Sequence, residues 1–84
     1  MKEYRLDIYK RLPKEIKKLP SKKQNLIKNA LRNIKKNPYE AKKLKGEYEG
    51  LYSYRVGSYR IVYEIDKKRG SITILDVEDR KDIY

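Results

Sequence analysis

The sequence has neither cysteine nor histidine. Without cysteine there is no disulfide and no thiolate metal site. Without histidine, the commonest metal ligand and the usual neutral-pH acid–base group are both missing. No run of about 20 apolar residues is present, so no transmembrane helix and no membrane partner are expected. The opening MKEYRLDIYKR lacks the apolar centre of a signal peptide and looks like a strand. These features indicate a cytoplasmic protein. A Ser-His-Asp set, a phosphate-binding glycine loop and a metal-ligand cluster are also missing, so neither cofactor nor metal is expected. At 84 residues the chain makes one small domain, 1–84, with a modest core.

What is abundant is positive charge. The formal net charge is +11 and 42% of residues are charged. Such a balance favours a polyanionic partner: nucleic acid, a ribosome or an acidic protein. The excess is uneven. Residues 1–50 carry 16 Lys and Arg against 6 Asp and Glu, whereas residues 51–84 carry 7 against 6. Many lysines accompanied by glutamate and no cysteine also fit a heat-adapted organism.

Leu51–Ile65, LYSYRVGSYRIVYEI, alternates with the period of half-buried strands. Gly57-Ser58 supplies a two-residue turn. Tyr52, Tyr54 and Val56 then face one way, with Ser53 and Arg55 opposite. Tyr59, Ile61, Tyr63 and Ile65 form one row and Arg60, Val62 and Glu64 the other. Arg55 and Arg60 fall close to the turn on paired strands, and on a shared face they make a rigid platform suited to a phosphate.

The other elements are grouped around this hairpin. Tyr4, Leu6 and Ile8 alternate in a first strand, Lys2–Ile8. Tyr9, Leu12, Ile16 and Leu19 recur at helical spacing, with Pro13 in the first turn. Ser21 and Gln24 spell a capping box for a second helix whose apolar stripe is Leu26, Ile27, Ala30, Leu31 and Ile34. Asn37-Pro38 ends it. The short Pro20-Ser21 junction makes the helices an antiparallel hairpin. Their lysines lie mostly off the apolar stripes, as a solvated face does. Residues 39–50 read as a short turn of helix and a loop, Asp66–Gly70 as a turn, and Ser71–Val77 as a last strand. Strands and helices grouped in this way indicate an α+β fold.

The residues left to carry chemistry are Arg55, Arg60, Arg80 and Tyr84. Arg80 and Tyr84 follow the last strand, which would bring them beside the hairpin arginines. Guanidiniums bind a phosphodiester and stabilise the charge of its transition state. The strand tyrosines Tyr52, Tyr54, Tyr59 and Tyr63 read as packing residues.

The whole chain resembles the RelE/ParE toxin superfamily. The resemblance rests on the opening strand, the lysine-rich helix hairpin, KLKG at Lys43–Gly46, R-x-G-x-Y-R at Arg55–Arg60, YRIVY at Tyr59–Tyr63 and R-x-x-I-Y at Arg80–Tyr84. It is closer to the RelE branch. It implies an N-terminal strand and a helix hairpin on a curved, mainly antiparallel sheet of about four strands. It also implies a toxin of a type II toxin–antitoxin pair that cuts mRNA in the ribosomal A site, with ribosome, mRNA and a RelB-like antitoxin as partners. By the same resemblance Arg55 contacts the scissile region, Arg60 and Arg80 stabilise charge at the phosphate, and Tyr84 stacks on or positions the base. Carboxylates of the antitoxin are then expected over Arg55, Arg60 or Arg80.

Two positions depart from the family pattern. Ser53 stands where many members carry Lys or Arg, and Asp79 where His or Lys is common. Lys45 is a candidate RNA contact that compensates for Ser53. The departures keep two alternatives open: a ParE-like toxin that blocks DNA gyrase by binding, or a catalytically weak homologue that binds its antitoxin. With no histidine, and with arginine too strongly basic to accept a proton, the free protein is expected to be a poor nuclease. Orientation supplied by the ribosome would then be essential.

Overall fold

The computed structural model describes residues 4–44 and 50–79. The elements run β1 (Arg5–Ile8), α1 (Leu12–Lys17), α2 (Ser21–Lys36), a 3-10 turn (Pro38–Glu40), β2 (Lys42–Lys43), β3 (Leu51–Val56), β4 (Tyr59–Asp66) and β5 (Ser71–Asp79). They form the expected α+β arrangement, with one five-stranded sheet in the order β1-β5-β4-β3-β2. Among the described residues β1 runs parallel to its neighbour, β5, and the other pairs are antiparallel. The fifth strand is β2, two residues within the stretch read as helical turn and loop.

The β3–β4 hairpin forms as its alternation dictates. Leu51 pairs with Glu64 and Val56 with Tyr59. Gly57 has φ +58°, while no other residue type among those described has a positive φ. A positive φ at the first central residue alone marks a type II′ turn, whose twist matches that of paired strands. A Cβ at Gly57 would meet only Leu26 Cδ1, at 3.8 Å, so backbone conformation rather than space selects glycine there.

One face of the sheet buries Ile61, Tyr63, Ile72 and Ile74 against Leu12 of α1 and Ile27, Ala30 and Ile34 of α2. Tyr4, Leu6, Ile16 and Leu19 pack around this core. The helix stripe is narrower than its apolar residues suggest: Leu26 remains 43% exposed. Tyr9, 52% exposed, precedes α1 instead of joining its buried face. Ile8, at the end of β1, is also exposed.

The capping box does not form. Pro20 occupies the N-cap position and Ser21 is already the first helical residue. Gln24 instead turns back to α1, donating its amide to the carbonyls of Lys17 (3.2 Å) and Leu19 (2.7 Å). It satisfies carbonyls at the helix end that have no intrahelical partner.

Four tyrosines form a chain of ring contacts on the core side. Tyr63 stacks on Tyr52 at 5.6 Å, Tyr52 meets Tyr39 edge-on, and Tyr39 meets Tyr4 edge-on. The buried Tyr63 hydroxyl donates to the Pro38 carbonyl at 2.6 Å, fixing the turn after α2 to the sheet. Burial pushes the Tyr63 phenol well above its ordinary pKa, and the Tyr4 hydrogen bond pushes Tyr39 up to about 12. Both therefore stay protonated at neutral pH.

Candidate functional site

Side chains directly opposite each other on neighbouring strands share a face. Arg55 of β3 lies opposite Arg60 of β4, and Arg60 lies opposite Glu78 of β5. The three therefore form one row across the sheet. It lies on the face away from the core, because the alternating neighbours Tyr59 and Ile61 are buried toward the helices. The hairpin thus brings the two arginines together as its pattern requires.

The row holds a carboxylate as well as two cations. Arg60 Nη2 donates to Glu78 Oε1 at 3.2 Å and Oε2 at 3.1 Å. Their side chains are 38% and 26% exposed, so the pair is half-buried yet open to solutes. Arg60 Nε is buried and has no hydrogen-bond partner among the described residues. Arg55 is exposed and forms no ion pair among them. A phosphate approaching this face meets one open guanidinium and one already carrying an anion.

The β5 carboxylates have separate destinations. Asp76 accepts from its neighbour's Val77 N–H at 2.9 Å and lies 3.5 Å from Arg11 Nη2. Arg11 also donates to Glu15 at 3.0 Å, and that carboxylate holds its guanidinium above the ordinary pKa. Asp79 lies opposite Tyr59 and lines an open cavity of 160 Å³ between the sheet and α1, shared with Leu12, Ile16, Leu19 and Val77. The departure at Asp79 therefore falls on the helix side of the sheet, away from the Arg55–Arg60–Glu78 row.

Ser53 lies on the arginine face two residues before Arg55. The residue opposite it is Lys42 of β2, which is exposed. A cation thus stands beside the serine from the neighbouring strand. Arg80 and Tyr84, and Lys45 as the candidate compensating for Ser53, lie outside the described residues.

Glu78 and Lys42 are the residues that pattern reading misses. Glu78 faces Arg60 because the β4–β5 register shifts between Val62 and Tyr63, leaving Leu75 without a partner. Continued without that bulge, the pairing of Asp66 with Ser71 would set Arg60 opposite Val77. Lys42 belongs to a strand too short to show a period. Among the described residues no group of three His, Cys, Asp or Glu is placed to hold a metal, and no helix is long and apolar enough to cross a membrane.

Residues 4–84 match the family model described as ParE toxin of type II toxin-antitoxin system, parDE. Toxin RelG of Mycobacterium tuberculosis is 44% identical over 43 residues, a stretch covering 51% of this chain and 49% of that protein, about half its length. The putative toxin RelE1 of Methanocaldococcus jannaschii is 29% identical over 87 residues, covering 98% of this chain and 96% of that protein. The toxin–antitoxin complex RelBE2 of Mycobacterium tuberculosis contains a similar fold, with TM-score 0.85 and 26% identity over 94% of this chain and all of that one.

Proposed function

The chain belongs to the ParE toxin family of type II toxin–antitoxin systems, and from that membership we propose that it is a ribosome-dependent endonuclease that cleaves mRNA in the ribosomal A site. The observation that carries this reading is the placement of Arg55 opposite Arg60 on the outer face of a rigid hairpin. Two guanidiniums side by side present donors to one phosphodiester and to the extra charge it acquires when attacked.

In the proposed reaction the ribose 2′-oxygen attacks the adjacent phosphorus, the bond to the 5′-oxygen breaks, and the 2′-proton is lost as the 5′-oxygen gains one. The products are a 2′,3′-cyclic phosphate and a 5′-hydroxyl. Arg60 stabilises the phosphoryl oxygens and Arg55 holds the strand beside the scissile bond. Arg80 adds positive charge and Tyr84 positions the base. No histidine is present to move the protons, so the site acts chiefly by orientation and charge. That fits a requirement for the ribosome, which presents the mRNA.

A RelB-like antitoxin is the proposed partner that keeps the toxin inactive. The relative in the RelBE2 structure is itself seen in a toxin–antitoxin complex. The Arg60–Glu78 contact favours one other reading: a toxin whose arginine face binds without cutting, as a ParE-like blocker of gyrase would.

Primer extension on an mRNA in a translation reaction separates the two. Cleavage that requires ribosomes and disappears with Arg60→Ala is expected. Intact mRNA together with induction of the DNA-damage response would replace the nuclease with the gyrase blocker.

A further inference from the structure

The row Glu78–Arg60–Arg55 contains a charge arrangement that the proposed chemistry does not use. Two like charges directly opposite each other on neighbouring strands destabilise a sheet. Arg55 and Arg60 stand in that relation. Glu78 completes the row from the other side and supplies the compensating anion. A carboxylate and a phosphate are alike in what they offer a guanidinium: paired oxygens, negative charge and hydrogen-bond acceptance.

We propose that Glu78 is an internal substitute for phosphate, occupying Arg60 in the unloaded protein and giving up that position to a phosphate of the substrate. That the incoming phosphate belongs to mRNA rests on the function proposed above. The internal competition itself rests only on the geometry.

Three features make the contact exchangeable. One nitrogen, Nη2, serves both carboxylate oxygens, at 3.1 and 3.2 Å. A fork-to-fork pair would instead engage two nitrogens through two parallel hydrogen bonds and hold more firmly. Both side chains are also partly open to solvent, which weakens their attraction and lets a solute reach them. Finally, Arg55 stands on the far side of Arg60 with no ion pair among the described residues. A phosphate bridging the two arginines gains a second cation that Glu78 does not contact.

The exchange has a functional consequence. A simple anion competes with Glu78 for Arg60 Nη2, so Glu78 lowers the affinity of the site for small anions. A phosphate presented in a fixed position, with its neighbours bound elsewhere, overcomes the same competitor easily. Glu78 thereby increases the dependence of the arginine site on a correctly presented strand.

The test is a titration of the full chain with inorganic pyrophosphate, followed by NMR of the arginine side-chain N–H groups. Glu78→Gln removes the charge and keeps the shape. It is expected to bind pyrophosphate up to about fivefold more tightly than the wild type, equivalent to about 1 kcal/mol. The gain disappears in the Arg60→Ala/Glu78→Gln double variant. Glu64→Gln, at an exposed carboxylate elsewhere on β4, controls for the general loss of negative charge. Glu78→Asp, which retains the charge on a shorter side chain, gives a smaller gain and serves the comparison if the glutamine variant folds poorly. Equal gains from Glu64→Gln and Glu78→Gln, a gain that persists without Arg60, or no gain at all would overturn the proposal. Pyrophosphate binding needs neither ribosomes nor cleavage. A chain that fails to cut mRNA but shows the Arg60-dependent gain disproves the nuclease and keeps the internal competitor.

Discussion

Glu78 faces Arg60 across β4 and β5, and a single guanidinium nitrogen donates to both of its carboxylate oxygens. The contact joins the arginine proposed to stabilise charge at the phosphate to an acidic residue of the same chain. It also separates the effects of substitution at Arg60. A half-exposed ion pair contributes about 0–1 kcal/mol, so Arg60→Ala is expected to lower folding stability only slightly. Its expected effect on ribosomal mRNA cleavage is far larger, about 10²–10³-fold, typical for loss of one preorganised charge stabiliser. Arg60→Lys keeps the charge but loses the planar fork, and should fall between the two. Urea denaturation and cleavage rates on the same samples check this. A loss of cleavage proportional to the unfolded fraction would assign Arg60 a structural role.

Tyr63 offers a test of the core. Its hydroxyl reaches the Pro38 carbonyl at 2.6 Å from a fully buried position. Tyr63→Phe leaves the ring stacked on Tyr52 and removes the donor. The buried carbonyl loses its partner, at a cost of about 1–3 kcal/mol. The pH dependence follows from the raised phenol. The folded state holds the Tyr63 proton more tightly than the unfolded chain, whose tyrosine titrates near 10.0. The corresponding stability is fully present below pH 10.0 and is lost as pH rises from there toward the folded-state value. Denaturation midpoints measured across the alkaline range should decline in the wild type and decline less steeply in Tyr63→Phe. Parallel declines would show that other groups govern alkaline unfolding.

Much of this arrangement is legible in the sequence because the strand period is two. The alternation in Leu51–Ile65 specifies both faces of the hairpin, and Gly57-Ser58 specifies its register, so Arg55 and Arg60 are found together. What escapes is whatever depends on pairing between distant segments. The parallel union of β1 with β5, the two-residue β2 and the bulge at Leu75 leave no local pattern. The last of these moves Glu78 opposite Arg60. Ser21 and Gln24 show the complementary failure. Their spacing satisfies a local rule, but Gln24 finds better acceptors at the end of α1.

Gln24 therefore links the helices instead of capping its own. Its amide reaches two carbonyls of the α1–α2 junction, Lys17 and Leu19. Gln24→Ala, a favourable helix residue, preserves α2 and removes both bonds. With about 0.5–1.5 kcal/mol for each bond, partly offset by the better helix propensity of alanine, a net loss of about 1 kcal/mol is expected. Gln24→Glu should be worse than alanine, since a carboxylate presents acceptors to acceptors. Thermal melts of the two variants check the order. Glutamate equal to or better than alanine would mean that the carbonyl contacts contribute nothing.

Lys42 extends the positive charge of the arginine face onto β2. It stands opposite Ser53, two residues from Arg55 on the same strand face. A lysine on the path of a bound strand contributes a phosphate contact independent of sequence, and its removal reduces the number of counterions released. Lys42→Ala should weaken binding of a short non-cleavable RNA and reduce the salt slope by about 0.7 for a single strand. Because Ser53 is the cross-strand neighbour, Ser53→Lys in the same background returns a cation to nearly the same place. The double variant Lys42→Ala/Ser53→Lys should recover both affinity and slope. Anisotropy titrations at several salt concentrations measure both quantities. Recovery by Ser53→Lys shows that a cation at either of the paired positions serves the strand. A loss that Ser53→Lys leaves untouched would place the Lys42 contact on another surface, outside the arginine face.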